Sequence, residues 1–253
     1  MAGTARPGTS EDALLGGRLV LHQPIQGFRA GIDPLFLAAA VPAGPGESLL
    51  DLGCGIGTAA LAVLARVPEV QATGLEIDAP LVELARENAK ANGLADRFEA
   101  LQGDVCRSDQ VLGARLFDHV CCNPPQVEAG AGTRSQEAAR DRAKQEAVAG
   151  LNDWIEAALR HLEPKGSLTL VHRADRLEAL LAGLAGRAGD IAILPLWPAP
   201  PDSGRPAKRV LLRARKGARS PTRLLPGLVL HEAAGGFTAE ANAVLRDAAA
   251  LTL

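Results

Sequence analysis

The segment from Asp51 to Thr58 has the residue types of a turn that binds a ligand. It reads Asp-Leu-Gly-Cys-Gly-Ile-Gly-Thr, between an apolar run typical of a buried strand and a run typical of a helix. Glycines there let the backbone approach a ligand closely at the carboxyl edge of a parallel sheet. The spacing differs from the G-x-G-x-x-G of dinucleotide-binding folds. An acid before the first glycine suits a cationic amino acid moiety better than a pyrophosphate, so the turn predicts S-adenosylmethionine rather than NAD. Its predicted cofactor contacts are Asp51, Gly53, Cys54, Gly55, Gly57 and Thr58.

Two further acids end the next two predicted strands. Glu76 follows the first acid by 25 residues, and a carboxylate at that point can accept both ribose hydroxyls of an adenosine. Asp104 ends the third strand, where it can accept from an adenine amine while Val105 packs on the base. Ile77 is assigned to the same site, and Asp78 is interpreted as the N-cap of the following helix.

The segment Asn123-Pro124-Pro125 follows an apolar strand directly. Two prolines stiffen the backbone and remove two N–H donors, which leaves carbonyl acceptors beside the Asn amide oxygen. Such an acceptor-only cradle suits a planar NH2 group that donates two hydrogen bonds while its lone pair faces a methyl donor. Positioning and electrostatics then carry the acceleration, with no ionisable base. Asn123, Pro124, Pro125 and Gln126 are the predicted catalytic segment, with Asn123 also beside the cofactor.

Alternating short strands and helices must position these motifs, which implies a mostly parallel α/β sheet with helices on both faces. The predicted strands are Arg18–Pro24, Ser48–Leu52, Gln71–Ile77, Phe98–Gln102, Phe117–Cys122, Ser167–His172, Ile191–Leu196 and Lys208–Arg213. The predicted helices are Pro34–Val41 with Asp33 as N-cap, Thr58–Arg66, Ala79–Asn92, Gln136–Leu162 and Asp175–Leu184, with a loop over Val127–Arg134. Residues 1–12 are predicted to be a flexible tail, and residues 13–253 one domain. That domain divides into an N-terminal cap and substrate segment (13–45), a Rossmann-like core (46–215) and a C-terminal extension (216–253).

The series formed by the Gly-rich turn, Glu76, Asp104 and Asn123-Pro124-Pro125 resembles the amino-group methyltransferases that use S-adenosylmethionine. This resemblance implies a Rossmann-like sheet of seven strands with the last strand antiparallel. A narrower resemblance, to the bacterial valine-tRNA adenine N6-methyltransferases, covers nearly the whole chain. Its motifs are Gln23–Asp33, Lys208–Val210, Leu225–His231 and Gly236–Glu240. It implies methylation of the exocyclic amine of an adenine next to the anticodon.

The N-terminal segment lies nearest the cofactor by the same resemblance. Asp33 is therefore assigned to the cofactor, and Phe28 and Arg29 to the RNA. This sequence departs from the family pattern at Gln126, where the family has an aromatic residue that stacks on the flipped-out base. A base–aromatic stack contributes roughly 1–3 kcal/mol. The target base therefore needs another platform, for which Phe28 and Phe36 are candidates, or Gln126 hydrogen-bonds a ring edge or an amide substrate instead.

A basic run between residues 205 and 223 is the candidate RNA surface. It holds eight cations and no acid: Arg205, Lys208, Arg209, Arg213, Arg215, Lys216, Arg219 and Arg223. Such a run is either a solvated edge or a set of phosphate contacts, and Arg205, Lys208 and Arg209 are the named RNA candidates. A second group after the catalytic turn is a candidate lid: Arg134, Arg140, Arg142 and Lys144.

Composition excludes several classes of protein. A hydrophobic fraction of 47% with 22% charged residues excludes a wholly disordered chain, and a net charge of −2 excludes a uniformly basic nucleic-acid binder. No apolar run reaches the roughly 20 residues of a membrane helix, and the first ten residues lack a signal-peptide core, so a cytoplasmic protein without membrane contact is expected. The four cysteines and five histidines lack metal-ligand spacing, so no metal is predicted.

These observations predict a methyltransferase that moves a methyl group from S-adenosylmethionine to an exocyclic amine of a nucleic-acid base, with adenine in tRNA as the expected target. A protein glutamine methyltransferase is the alternative enzyme, because a side-chain amide needs the same acceptor cradle. A cofactor-binding RNA-interaction module with weak catalysis is the alternative of another class.

Overall fold

The computed structural model describes residues 8–26, 29–126 and 149–253. Within them the strands are β1 (Thr9–Leu14), β2 (Leu19–Pro24), β3 (Ser48–Leu52), β4 (Gln71–Glu76), β5 (Phe98–Gln102), β6 (Phe117–Cys122), β7 (Leu162–Arg173), β8 (Ala188–Trp197), β9 (Arg209–Lys216), β10 (Arg223–Leu224) and β11 (Leu228–Val229). The helices are α1 (Asp33–Ala40), α2 (Thr58–Arg66), α3 (Ala79–Ala91), α4 (Ser108–Leu112), α5 (Leu151–Arg160), α6 (Leu177–Leu184) and α7 (Ala239–Asp247).

The central sheet has the strand order β10-β8-β9-β7-β6-β3-β4-β5, and β11 also pairs with β8. The pairs from β7 through β6, β3 and β4 to β5 are all parallel, whereas β9 runs antiparallel to both of its neighbours. The predicted mostly parallel α/β sheet with an antiparallel last long strand is therefore confirmed.

The predicted count of seven strands is wrong, because the described sheet has nine. The two additional strands, β10 and β11, are two residues long and run parallel to β8. They satisfy the backbone of this edge strand: Leu225 donates to the Ile193 carbonyl at 2.8 Å and Leu230 to the Trp197 carbonyl at 2.7 Å. Pairs this short carry no hydrophobic period, so the sequence gives no signal for them.

Helices cover both faces of the sheet, each over its own apolar layer. On one face α1, α2, α3 and α7 pack around fully buried side chains such as Phe36 and Leu61. On the other face α4, α5 and α6 pack around Ile155 and Leu180. Strands β3, β4, β5 and β6 are neighbours and parallel, so their carboxyl ends lie at one edge of the sheet. The Gly-rich turn, Glu76, Asp104 and the Asn123-Pro124-Pro125 segment each lie at one of these ends.

The N-terminal hairpin of β1 and β2 corrects the predicted tail, because residues 9–12 belong to β1 and pair with β2. The Asp12 carboxylate strengthens this pairing by accepting from Gln23 Nε2 at 2.9 Å and from Arg29 at 2.8 Å. β1 is mostly polar, so it lacks the apolar pattern by which a strand is predicted.

Two asparagines, Asn88 on α3 and Asn92 at its C-cap, attach this hairpin to the body of the protein. The Asn88 amide, fully buried, accepts from His22 N at 2.8 Å and donates to the carbonyls of His22 and Ile56. Asn92, one turn later, accepts from Val20 N and donates to its carbonyl. For the backbone of β2, these side-chain amides take the place of a second neighbouring strand.

Several predicted helix limits also differ by one or two residues, and those of α1 and α5 have a clear physical reason. α1 begins at Asp33 with Ile32 at the N-cap, and the Asp33 carboxylate forms an ion pair with Arg209 rather than a cap bond. The helix predicted to reach Leu162 ends at Arg160, because Leu162 already pairs with Phe117 in the sheet. Its predicted beginning at residue 136, the loop over 127–134 and the lid candidates lie outside the described residues.

Candidate active site

A cleft of about 920 Å³, including the open solvent at its mouth, lies at the carboxyl edge of the parallel strands. The predicted site residues that line it are Asp51, Gly53, Cys54, Gly55, Thr58, Glu76, Ile77, Asp104, Val105, Asn123 and Pro125. Three strand ends and the Asn-Pro-Pro segment therefore meet in one cavity. Asp33, Gly57, Pro124 and Gln126 do not line it.

The Gly-rich turn is held tightly against β4. The N–H groups of Gly53 and Cys54 both donate to the Leu75 carbonyl, at 2.7 and 3.1 Å. Gly53 has φ +66°, and a Cβ placed on it would lie 2.5 Å from Cη2 of Trp154. Only glycine fits both the left-handed backbone and this close approach.

Asp51 is a buried acid of β3 whose side chain reaches the first turn of α2. It is 2% exposed, and its Oδ2 accepts from the Ala60 N–H at 3.2 Å. Gly57, the N-cap of α2, has no side chain to offer, so Asp51 supplies the acceptor that the first turn of the helix needs. Burial raises the pKa of Asp51 to about 7, against the opposing effect of the Ala60 hydrogen bond. A cationic group in the cleft would stabilise the ionised form.

Glu76 connects the end of β4 to the Gly-rich turn. Its Oε2 accepts from Gly55 N at 2.8 Å and its Oε1 from Asp78 N at 3.0 Å. Burial raises the pKa of Glu76, although both hydrogen bonds lower it. A carboxylate has about four acceptor sites, so these two bonds leave capacity for ligand hydroxyls. The bracing of the turn is a role that the sequence did not reveal.

Asp104 caps a short 3₁₀ turn after β5. Its Oδ1 accepts from Cys106 N at 2.9 Å, and Val105 behind it is buried. Asp78 occupies the predicted N-cap position of α3 but makes no side-chain cap bond there. Ile77 is 37% exposed and lines the same cleft as Val105.

Two of the five buried side-chain polar atoms without a partner among the described residues lie at this cleft. Thr58 Oγ1 and Trp154 Nε1 both belong to lining residues and make no hydrogen bond. Buried polar groups are normally satisfied, so these two indicate a polar ligand. The cleft as a whole fits S-adenosylmethionine: a buried acid for the ammonium group, a carboxylate with spare acceptor sites for the ribose, and apolar walls for the base.

Trp154 is the main lining residue that sequence reasoning missed. It lies on α5, is 6% exposed and packs on the Gly-rich turn. Its position in a helix gave only a core signal, because the sequence does not reveal that the first turn of α5 lies beside the turn after β3.

Asn123 and Gln126 are joined in the Asn-Pro-Pro segment. Gln126 Nε2 donates to Asn123 Oδ1 at 3.1 Å and lies 3.4 Å from Asp33 Oδ2. Arg209 Nε donates to the same Asp33 oxygen at 2.9 Å. Asp33, assigned to the cofactor by resemblance, thus lies between the Asn-Pro-Pro segment and β9.

The predicted RNA contacts do not form one surface. The register of β9 against β7 pairs Arg209 with Arg173 and Arg215 with Ser167, so the basic run crosses the sheet from the cleft edge to the opposite edge. Arg205 and Lys208 line an open groove at the cleft edge. Arg209 is paired with Asp33, and Arg29 with Asp12 at 2.8 Å. Phe28 lies outside the described residues.

Metal ligands and membrane helices were also sought in residues 8–26, 29–126 and 149–253. No group of three His, Cys, Asp or Glu side chains there could hold a metal ion. No helix in these ranges has the length and apolar character to cross a membrane.

The fold and cleft are those of an α/β transferase with its site at the carboxyl edge of the sheet. The model of the methyltransferase small domain family matches residues 32–188, more than half of the chain, and the chain belongs to this family.

The matched relatives include tRNA1(Val) (adenine(37)-N6)-methyltransferases. The one from Porphyromonas gingivalis is 33% identical over 159 residues, 60% of this chain and 62% of the relative. The one from Dickeya chrysanthemi is 29% identical over 225 residues, 87% of each chain. In the match to the first of these relatives, the chain spans about three fifths of the relative's length.

Solved structures give the same fold. A predicted O-methyltransferase from Agrobacterium tumefaciens superposes with a TM-score of 0.72 and 27% identity, covering 87% of this chain and 99% of that one. An S-adenosylmethionine-dependent O-methyltransferase from Thermotoga maritima has a TM-score of 0.53 at 17% identity, covering 77% and 68% of the two chains, and is similar in fold alone.

Proposed function

We propose that this protein transfers a methyl group from S-adenosylmethionine to the exocyclic amine of an adenine in tRNA. The observation that carries the proposal is that Asn123 and Pro125 share one cleft with the buried acids Asp51 and Glu76. The amine cradle and the cofactor residues thus face the same space. The names of the relatives support tRNA adenine as the substrate, and a tRNA substrate makes the cytoplasm the expected location.

The cofactor supplies a methyl group on a positively charged sulfur. Asp51 would hold its ammonium group, because an ion pair compensates the burial of this carboxylate. Glu76 would accept from the ribose hydroxyls with the acceptor sites that Gly55 and Asp78 leave free. Asp104 would accept from the adenine amine, with Val105 and Ile77 against the base.

The target amine would be held by acceptors alone. The Asn123 amide oxygen has two acceptor sites, and Gln126 occupies one of them. The second site and a backbone carbonyl of the Asn123-Pro124-Pro125 segment would accept the two N–H groups of the amine. Fixing both hydrogens turns the nitrogen lone pair towards the methyl group, so that orientation lowers the barrier without a general base.

RNA would reach the cleft along the edge that carries Arg205 and Lys208. Both side chains are exposed, and both lie in the groove formed by residues 198–208 and 231–235. Two phosphates at these cations would anchor the anticodon arm beside the cleft. Arg209 is excluded from this role, since Asp33 already neutralises it.

Incubation with labelled S-adenosylmethionine tests the proposal. The substrates are total tRNA and total protein from a strain that lacks this chain, and the labelled tRNA is digested to nucleosides. We expect N6-methyladenosine in one tRNA species and no label in protein. Label on protein glutamine instead would establish the alternative enzyme. Tight cofactor binding with no label on either would leave an RNA-interaction module.

A further inference from the structure

Four side chains form an unbroken polar chain from β9 to the Asn-Pro-Pro segment. Arg209 Nε donates to Asp33 Oδ2 at 2.9 Å, and Gln126 Nε2 approaches the same oxygen at 3.4 Å. The second hydrogen of Gln126 Nε2 is directed to Asn123 Oδ1 at 3.1 Å. The residues come from α1, from β9 and from the segment after β6, so only the fold brings them together.

The charged end of this chain gives it a direction. A guanidinium group only donates, and an ionised carboxylate only accepts. Asp33 can therefore bind Gln126 only through its NH2 group. The same nitrogen then has one hydrogen left for Asn123, which must accept it with its amide oxygen. Each amide is nearly symmetric in shape, so packing alone would not distinguish its oxygen from its nitrogen.

This arrangement leaves the oxygen of the Gln126 amide without a hydrogen bond. Gln126 Oε1 is buried and has no partner among the described residues. Turning the amide over would bring Oε1 to Asp33, where two acceptors would repel each other, and would turn the Asn123 amide as well. One unpaired neutral acceptor is the smaller penalty.

We propose that Gln126, oriented by the Asp33–Arg209 ion pair, is the positioning residue that keeps the acceptor side of Asn123 turned to the target amine. This inference rests on the proposed function. Gln126 is not a catalytic residue, because it does not line the cleft. An aromatic residue at this position would have no amide with which to orient Asn123. This protein therefore replaces base stacking with control of the Asn123 amide orientation.

Breaking the hydrogen-bonded series Arg209–Asp33–Gln126–Asn123 should lower turnover and leave cofactor binding unchanged. Gln126→Leu and Asp33→Asn are each expected to reduce kcat for tRNA by about three- to tenfold, the effect of one hydrogen bond, with an unchanged Kd for S-adenosylmethionine. Glu99→Gln is the matched control, because Glu99 pairs with Arg115 at 2.8 Å on the outer edge of the sheet. Unchanged kcat in both test variants would overturn the proposal.

A reversed chain separates orientation from simple stability. In the double variant Asp33→Asn with Gln126→Glu, Asn at 33 donates to Glu at 126, which in turn requires the nitrogen of Asn123. The bonds between positions 33, 126 and 123 are rebuilt in reverse, although the nitrogen that replaces Asp33 Oδ2 cannot accept from Arg209 Nε, and Asn123 now turns its oxygen elsewhere. We expect the unfolding midpoint to recover relative to Gln126→Glu alone while kcat stays at least about tenfold low. Recovery of wild-type kcat would overturn the proposal.

A measurement without substrate distinguishes this inference from the proposed function. The side-chain amide signal of Asn123, identified by its loss in Asn123→Ala, should shift in 15N spectra of Gln126→Leu and of Asp33→Asn, and should stay in place in Glu99→Gln. An unmoved signal in both test variants would disprove the coupling of Asp33 and Gln126 to Asn123, whether or not tRNA is methylated. Shifted signals in a protein that methylates no RNA would disprove the proposed function and with it the positioning role.

Discussion

The Trp154 ring lies directly against Gly53, so that a single added carbon on Gly53 would stand 2.5 Å from Cη2 of the ring. This contact joins α5 to the turn after β3. The backbone of the turn is therefore fixed from both sides, by the Leu75 carbonyl and by the indole. A rigid turn suits a site whose ligand is bound by precise backbone contacts.

Gly53→Ala should destabilise the protein more than a glycine substitution with equal backbone strain. Gly93→Ala is the matched control, because Gly93 has φ +67° and nothing lies within 4 Å of its added Cβ. We expect the control to cost about 1 kcal/mol in the free energy of unfolding, and Gly53→Ala roughly 2 kcal/mol more, because the Trp154 ring must move. Urea unfolding measures both. Equal losses would show that the Trp154 contact is slack.

Cofactor affinity should depend on pH through Asp51. Its pKa of about 7 means that the unliganded carboxyl is mostly protonated below that pH. Binding an ammonium group requires the ionised form, so affinity should rise by about tenfold between pH 5.5 and 7.0. Calorimetry with S-adenosylmethionine measures this below the pH at which the ligand's own amino group titrates. Asp51→Asn should bind weakly and with a flat profile, whereas an equally steep profile in this variant would assign the titration to another group.

Asn123→Ala should separate transfer from binding. Loss of the amide oxygen removes one acceptor of the target amine, and we expect kcat to fall about a hundredfold, as for other preorganised groups. The Kd for S-adenosylmethionine should stay within about threefold, since at most one hydrogen bond is affected. Gln110→Ala, at an exposed amide on α4, is the control. Full activity of Asn123→Ala would refute the cradle.

The salt dependence of tRNA binding should distinguish the two edges of the sheet. Replacing both Arg205 and Lys208 by Ala should lower the slope of log K against log salt by about 1.5, because two phosphate contacts are lost. Replacing Arg215 and Arg219 by Ala removes the same charge at the opposite edge and should leave the slope unchanged. Equal effects of the two double variants would point to long-range charge rather than local contact.

The hairpin attachment should depend on Asn88 more than on Asn92. Asn88→Ala leaves the His22 N–H and two carbonyls without their partner, for which we expect a loss of roughly 2–4 kcal/mol in the free energy of unfolding. Asn92→Ala removes the partner of the Val20 N–H and of the Val20 and Asn88 carbonyls. These groups lie nearer the surface, so we expect a loss of about 1 kcal/mol in the free energy of unfolding. The comparison uses urea denaturation. The reverse order would place the anchor of β2 at Asn92.

Local pattern was sufficient where one element carries its own signal. β3, α2 and β6 have the predicted limits, since each is a mostly apolar run that begins or ends beside a Gly or an Asn. The positions of Glu76 and Asp104 beside the Gly-rich turn follow from chain order, because neighbouring parallel strands end at one edge. The limits of β1 and of α5 did not follow. The first has no apolar period, and the second ends where the sheet requires Leu162.

The sequence by itself therefore determined the class of fold, the edge at which the cleft lies and many of the residues that line it. Only the tertiary structure decided how charges are used. It divides one basic run between two edges of the sheet, and it brings Asp33 and Arg209 together across 176 positions. Ion pairs and amide orientations of this kind depend on which side chains meet after folding, and no periodicity along the chain encodes that meeting.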